Sequence, residues 1–269
     1  MPHAAGLWYE YHGPDDGEIL ILSAGLGGSA SYWQPNLAAL AARYRLLLYD
    51  HRGTGRSDRE VPDTVTIDDM AGDVAALMDE LGVARAHFLG HALGGLIGLA
   101  LARSQPGRID RLVVVNGWAR LDPYTARCFD VRLDLLRDSG PRAYLRAQPI
   151  FLYPPDWISV HSARLDEEAE VQLSHFPGVE TVEKRIAAVR GWDPGHTLAA
   201  IESSVLVLAT ADDALVPSHA ARDLCALLPN HSRMLLFAGG HAGNVTEPED
   251  FHDRVLPWLA GEQSNEEQA

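Results

Sequence analysis

Short apolar runs alternate along this chain with longer stretches in which apolar residues recur every three or four positions. Residues 19–22, 46–49, 87–89, 112–115, 205–209 and 234–237 are dominated by leucine and β-branched or aromatic side chains, several without interruption. Uninterrupted runs suit strands covered on both faces, as in a parallel sheet. Helical periodicity marks 37–43, 67–81 with Gly82 as its stop, 93–103 with Pro106 beyond, 220–228 and 251–259. Strand and helix in alternation predict an α/β fold built on a doubly wound, mostly parallel sheet.

The alternation stops between about 117 and 196. That span carries Tyr124, Phe129, Tyr144, Phe151, Tyr153, Trp157, Phe176 and Trp192 and reads as helices with proline breaks, Tyr153-Pro154-Pro155 among them. It predicts a helical cap over one edge of the sheet. The expected division is a core over 1–117, a cap over 118–196, a second part of the core over 197–260, and a polar tail over 261–269. With no apolar anchor, that tail is expected to be disordered.

Composition narrows the function classes. Lys plus Arg number 22 against 37 Asp plus Glu in 269 residues, a formal net charge of −15. So acidic a surface repels nucleic acid and anionic membrane, and neither is expected as a partner. The start shows no basic and then apolar leader pattern, and the longest uncharged apolar run, 92–102, is far below a membrane span. The expectation is a soluble, cytoplasmic protein. Cys128 and Cys225 form neither a CxxC pair nor a disulfide framework. The 12 histidines include no H-E-x-x-H and no cluster at ligand spacing, so no metal and no cofactor is expected. A small molecule is the expected partner; pairing into a homodimer stays open.

Three elements could carry chemistry. Gly90-His91-Ala92-Leu93-Gly94-Gly95 follows a predicted strand and opens a predicted helix, keeping G-x-S-x-G spacing with alanine in the serine position. A turn that sharp needs positive φ at its centre and no side chains two positions either way. Thr210-Ala211-Asp212-Asp213-Ala214-Leu215-Val216-Pro217 follows a late strand, and Gly239-Gly240-His241-Ala242 follows the last. Loops at the carboxyl ends of parallel strands are where such a sheet places its site.

In that order, and with Asp50-His51-Arg52-Gly53-Thr54-Gly55-Arg56-Ser57 as a further motif, the chain resembles the α/β-hydrolase superfamily over nearly its full length. The resemblance implies that Asp213, rather than Asp212, is the acid and His241 the base. It places the oxyanion hole on the N–H groups of Leu26 and Leu93. The usual His-Gly before the first of these is here Ala24-Gly25. The departure that matters is Ala92, which has no nucleophilic atom, so no acyl-enzyme forms by the Ser-His-Asp route. His91, its neighbour, is expected to point elsewhere. The serine was removed by engineering, or the chain only binds, or the reaction needs no covalent intermediate and His241, oriented by Asp213, moves a proton or activates water.

Several segments favour the third explanation: 23–33, 49–55, 90–94, Val115-Asn116-Gly117-Trp118, Gln148-Pro149-Ile150-Phe151-Leu152-Tyr153-Pro154 and 239–246. Together they resemble a family of bacterial pyrimidine-utilisation hydrolases of uracil degradation, described as acting on carbamate or 3-aminoacrylate. Alanine at the elbow is a feature of that family. Trp33, Asn116, Trp118, Phe151 and Tyr153, each after a strand or in the predicted cap, are candidates for the substrate pocket, with core packing an equal alternative. The rival from another class is a dinucleotide site. Gly25-Leu26-Gly27-Gly28-Ser29-Ala30 matches G-x-G-x-x-A, and Asp50 follows at the spacing of a ribose-binding acid. It leaves the elbow, Asp213 and His241 unexplained.

Overall fold

A computed structural model describes residues 2–229 and 232–262, and in it the alternating runs assemble into one sheet. Its strands are β1 (His3–Ala4), β2 (Leu7–His12), β3 (Ile19–Ser23), β4 (Arg45–Tyr49), β5 (Ala86–His91), β6 (Ile109–Val115), β7 (Ser204–Thr210) and β8 (Arg233–Phe237). The α-helices are α1 (Leu37–Ala41), α2 (Ile67–Glu80), α3 (Leu93–Ser104), α4 (Pro123–Leu152), α5 (Pro155–Ser174), α6 (Val179–Arg190), α7 (His219–Leu227), α8 (Gly243–Thr246) and α9 (Pro248–Leu259). The sheet runs β1-β2-β4-β3-β5-β6-β7-β8, with β1 and β2 antiparallel to their neighbours and the remaining pairs parallel. This is the doubly wound α/β sheet that the alternation implied. The first two strands were not foreseen. Leu-Trp-Tyr-Glu-Tyr-His lies near an edge with four of its six residues partly exposed, so it lacks a continuous apolar run.

The period of two along the central strands divides the core. Ile21, Leu47, Phe88, Leu112, Val114, Val205 and Val207 face α2, α3 and α7. Their neighbours Leu20, Leu22, Leu46, Leu48, Leu89, Val113, Val115, Leu206 and Leu208 face Leu40 of α1 and Phe251, Val255 and Leu259 of α9. Burial on both faces is what makes these strands uniformly apolar. Local signals also set the helix ends. Thr66 and Asp69 form a reciprocal capping box at the start of α2, with Thr66 Oγ1 accepting from Asp69 N at 3.1 Å and Asp69 Oδ2 from Thr66 N at 2.9 Å.

Between β6 and β7 the chain leaves the sheet and forms α4, α5 and α6. α4 is broken at Gly140, whose φ of 82° and ψ of 178°, with Pro141 next, divide it into two segments. No helix among the described residues is long and apolar enough to cross a membrane. Of the tail expected over 261–269, residues 263–269 lie outside the described residues.

Backbone packs closely against backbone where β5 turns into α3. A Cβ at Gly94 would sit 2.2 Å from the carbonyl oxygen of Ser23 on β3, and one at Gly90 would sit 2.3 Å from the carbonyl oxygen of Gly94. Backbone on both sides leaves nothing flexible to move away. Gly94→Ala is therefore expected to destabilise the fold by about 3 kcal/mol or more, read as a lowered urea midpoint. A loss below about 1 kcal/mol would show that the helix can slide outward and that the contact sets no limit.

Candidate active site

The three loops singled out by their order along the chain meet at the carboxyl edge of the sheet. His241 Nδ1–H donates to Asp213 Oδ2 at 2.7 Å, both side chains being almost wholly buried. The other carboxylate oxygen, Oδ1, accepts from the N–H groups of Leu215 at 2.7 Å and Val216 at 2.8 Å. These bonds fix the acid and leave the histidine Nε2 as the ring's remaining nitrogen. Asp212 does different work. Its Oδ1 accepts from the N–H groups of Gly239 at 2.9 Å and Gly240 at 3.0 Å, holding the loop that carries His241.

Ala92 adopts φ 47° and ψ −113°, a conformation that L-residues rarely take. Its N–H donates to Val115 O at 2.8 Å and its carbonyl accepts from Leu96 N at 3.1 Å, so the turn is pinned to β6 and to α3 at once. Leu93 then opens α3, where the first N–H groups have no partner inside the helix and carry its positive end. Leu26 and Leu93 both line one cavity of about 570 Å³ together with Ala92 and His241. Among the described residues, no acceptor pairs with either amide.

Core and helical excursion build that cavity jointly. Its floor is the Ala24–Ser29 loop and the elbow, and its far wall includes Phe129, Arg132, Tyr144, Leu145, Gln148 and Arg185 from α4 and α6. Of the five residues expected to line it, Trp118 does. Trp33, Asn116, Phe151 and Tyr153 are not among its described lining. Trp33 is fully buried in the opposite core with Leu20, Leu22 and Leu40. Asn116, with φ 50°, is a tie: its amide nitrogen donates to His241 O at 2.8 Å and its amide oxygen accepts from Thr210 N at 2.9 Å. Phe151 packs beside the Arg132 guanidinium, 5.7 Å from its ring centroid. Tyr153 packs on Trp157 at 4.5 Å, and burial pushes its phenol up to about 12. An aromatic residue at a strand end or in a cap helix does not reveal which way it faces.

The structure also places residues there that the sequence reading left out. His91 lines the cavity instead of pointing away, its ring 4.7 Å from that of His241 and stacked on Tyr32 at 4.8 Å. Gly25 makes the room, since a Cβ there would lie 2.9 Å from His91 Nδ1. Its Nε2–H donates to the His241 carbonyl at 2.8 Å. On the opposite side Arg185 donates from Nε and Nη2 to Leu26 O at 3.1 and 2.9 Å, and from Nη2 to His51 Nδ1 at 3.0 Å. Arg185 thereby orients the loop bearing the Leu26 amide, and burial pushes its guanidinium down to about 10. The only forewarning in the sequence was a cationic residue on a helix amid valine and alanine.

Asp50 answers the dinucleotide reading. It is fully buried, with Oδ1 accepting from Ala30 N at 2.8 Å and Oδ2 from Arg56 N at 2.9 Å and Arg56 Nε at 2.8 Å. His51 N and Thr54 Oγ1 both donate to Gly28 O. The Asp50–Ser57 turn is thus a brace for the glycine loop, and its carboxylate is already occupied.

A model of the alpha/beta hydrolase fold family matches residues 18–147. The chain is 50% identical over 259 residues to the protein named "Putative carbamate hydrolase RutD" of Caulobacter sp. (strain K31), covering 96% of this chain and 97% of that one. The protein of the same name from Serratia proteamaculans (strain 568) is 48% identical over 255 residues, 94% of this chain and 96% of that one. Among solved structures, the enol-lactonase from Burkholderia xenovorans LB400 matches with a TM-score of 0.84 at 27% identity, covering 94% of this chain and 96% of that one.

Burial pushes the imidazoles of His51 and His91 well below their ordinary range, aided by the Arg185 charge at His51 and by His241 at His91. Unfolding returns both to about 6.5, so below that pH the unfolded chain binds more protons than the native one. Stability is therefore full above about pH 6.5 and falls as pH drops, by up to about 1.4 kcal/mol per pH unit for each histidine. Urea midpoints between pH 7.5 and 5 should show this decline, and His91→Asn should flatten it by one histidine's share. An unaltered slope in the variant would mean that His91 is protonated in the native protein.

Proposed function

The chain belongs to the α/β-hydrolase fold and, within it, to the RutD family, and on that premise we propose that it cleaves the C–N bond of carbamate or 3-aminoacrylate in pyrimidine breakdown without a serine nucleophile. The observation that carries this reading is the His241–Asp213 pair on the wall of a cavity whose elbow residue offers only a methyl group. A histidine held in one tautomer by a buried carboxylate is equipped to give and take a proton, which these substrates need and an acyl transfer would not satisfy alone.

For carbamate, the protonated Nε2 of His241 gives its proton to the substrate nitrogen, the C–N electron pair leaves with that nitrogen, and ammonia and carbon dioxide depart. His241 regains a proton from water. The N–H groups of Leu26 and Leu93 hold the carboxylate oxygens throughout. For 3-aminoacrylate the proton goes to carbon; water then adds to the iminium, and ammonia leaves. No step forms a bond to the protein, so the methyl group of Ala92 leaves space where a serine hydroxyl would stand. In this reading α4, α5 and α6 serve as the cap that closes the site.

One observation favours a second reading, a serine hydrolase that lost its nucleophile. Ala92 keeps the backbone geometry that exposes a nucleophile at such a turn, at a strain cost of about 1–3 kcal/mol.

Ammonia release from carbamate, followed at mildly alkaline pH where the background is slow, separates the two. His241→Ala should return the rate to the uncatalysed level, and Asp213→Asn should lose at least about a hundredfold. Wild type should leave an aryl ester untouched. A carbamate rate unchanged in His241→Ala would overturn the reading, and ester cleavage gained by Ala92→Ser together with no carbamate turnover in wild type would establish the second.

A further inference from the structure

We propose that Arg132 anchors the far carboxylate of substrates longer than carbamate: short monocarboxylates that carry the hydrolysable nitrogen at the other end of an apolar chain, with that reacting end at His241. This deepens the reading of the His241 site and rests on it for the reacting end alone.

Arg132 is 4% exposed and lines the same cavity as His241. Its Nη2 donates to the Tyr144 hydroxyl at 2.7 Å and reaches Gln148 Oε1 at 3.5 Å, while its Nε, also buried, has no partner. No carboxylate forms an ion pair with it among the described residues. Its guanidinium instead lies 5.6, 5.1 and 5.7 Å from the ring centroids of Phe129, Tyr144 and Phe151. Aromatic faces soften the cost of a buried cation without neutralising it. Arg185, the other deeply buried arginine of the wall, has its Nε and Nη2 committed to Leu26 and His51. Arg132, whose only acceptors among the described residues are the Tyr144 hydroxyl and the Gln148 amide oxygen, is the less committed of the two.

The surroundings point the same way. Among the described residues, Arg56, Arg132 and Arg185 line the cavity against one lining carboxylate, Asp50, which is held by Arg56. A chain of net charge −15 therefore keeps a cationic interior at this place. An unpaired buried charge lowers stability unless something arrives to pair with it, and the planar fork of a guanidinium matches a carboxylate. The volume of about 570 Å³ is that of a site for ligands well above the four heavy atoms of carbamate. Phe129, Leu145, Val182, Val189 and Leu215 supply apolar wall for the chain between the two ends.

Butyrate and butyramide differ in charge and little in shape, and Trp118 on the cavity wall gives an optical signal. Titrated at matched ionic strength, butyrate should bind wild type at least about tenfold more tightly than butyramide and raise its melting midpoint. Arg132→Met, folded by its own melting curve, should lose that preference. His241→Ala should keep it, so a failure of the proposed catalysis leaves this test standing. Equal binding of the two probes by wild type, or a preference undiminished in Arg132→Met, would overturn the proposal. If Arg132→Met does not fold, Arg132→Lys replaces it: a carboxylate preference weakened by about tenfold or more supports the anchor, and an unchanged one overturns it.

Discussion

The geometry of the site depends on one residue turning β5 into α3. Ala92 does so at φ 47°, and the turn closes only because Gly90 and Gly94 let backbone meet backbone. Bonds to Val115 and Leu96 hold the strained residue from both sides. The consequence is a helix that opens with the unpaired Leu93 amide on the cavity wall. In a serine enzyme the same turn would lift a hydroxyl into the space beside it. With a methyl group the same turn leaves that space open, which the proposed reading gives to the substrate and to water.

Opposite the elbow, the histidine is positioned through its own backbone. The carbonyl of His241 accepts from Asn116 on the β6 side and from His91 at the end of β5. Asp212 gathers the two glycine amides before it, and Ala242 N donates to Leu152 O at 2.9 Å at the end of α4. Two adjacent aspartates thus share the task, Asp213 fixing the ring and Asp212 fixing the loop. Strand ends from across the sheet and one helix of the excursion all fix where the imidazole stands. Buried polar groups that satisfy one another in this way hold a site rigid.

The excursion contributes charge as well as cover. Arg185 reaches from α6 to Leu26 and sets the first of the two unpaired amides, coupling the outer helices to the floor of the site. Arg132 brings a second buried cation from α4. A protein that repels anions over most of its exterior therefore offers them a positive interior. In the proposed reading, that contrast suits chemistry on small anions, where the holding of charge takes the place of a covalent intermediate.

What the sequence determined by itself is whatever depends on order and period along the chain. Two-sided burial makes β3 to β7 read as apolar runs, and the strand-end loops carrying Ala92, Asp213 and His241 followed from those runs. The alanine in the serine position of the elbow was visible as a single letter. Tertiary structure alone decided direction. Trp33 faces the far core and Asn116 became a tie between loops, whereas Arg132, Arg185, Tyr32 and His91 turned into the cavity. A place in the elbow motif or on a helix did not show which way any of them faces. Which way a side chain looks is settled by what packs against its element, and those partners can lie far along the chain, as with Leu26 and Arg185, 159 residues apart, or Tyr32 and Asn244, 212 apart.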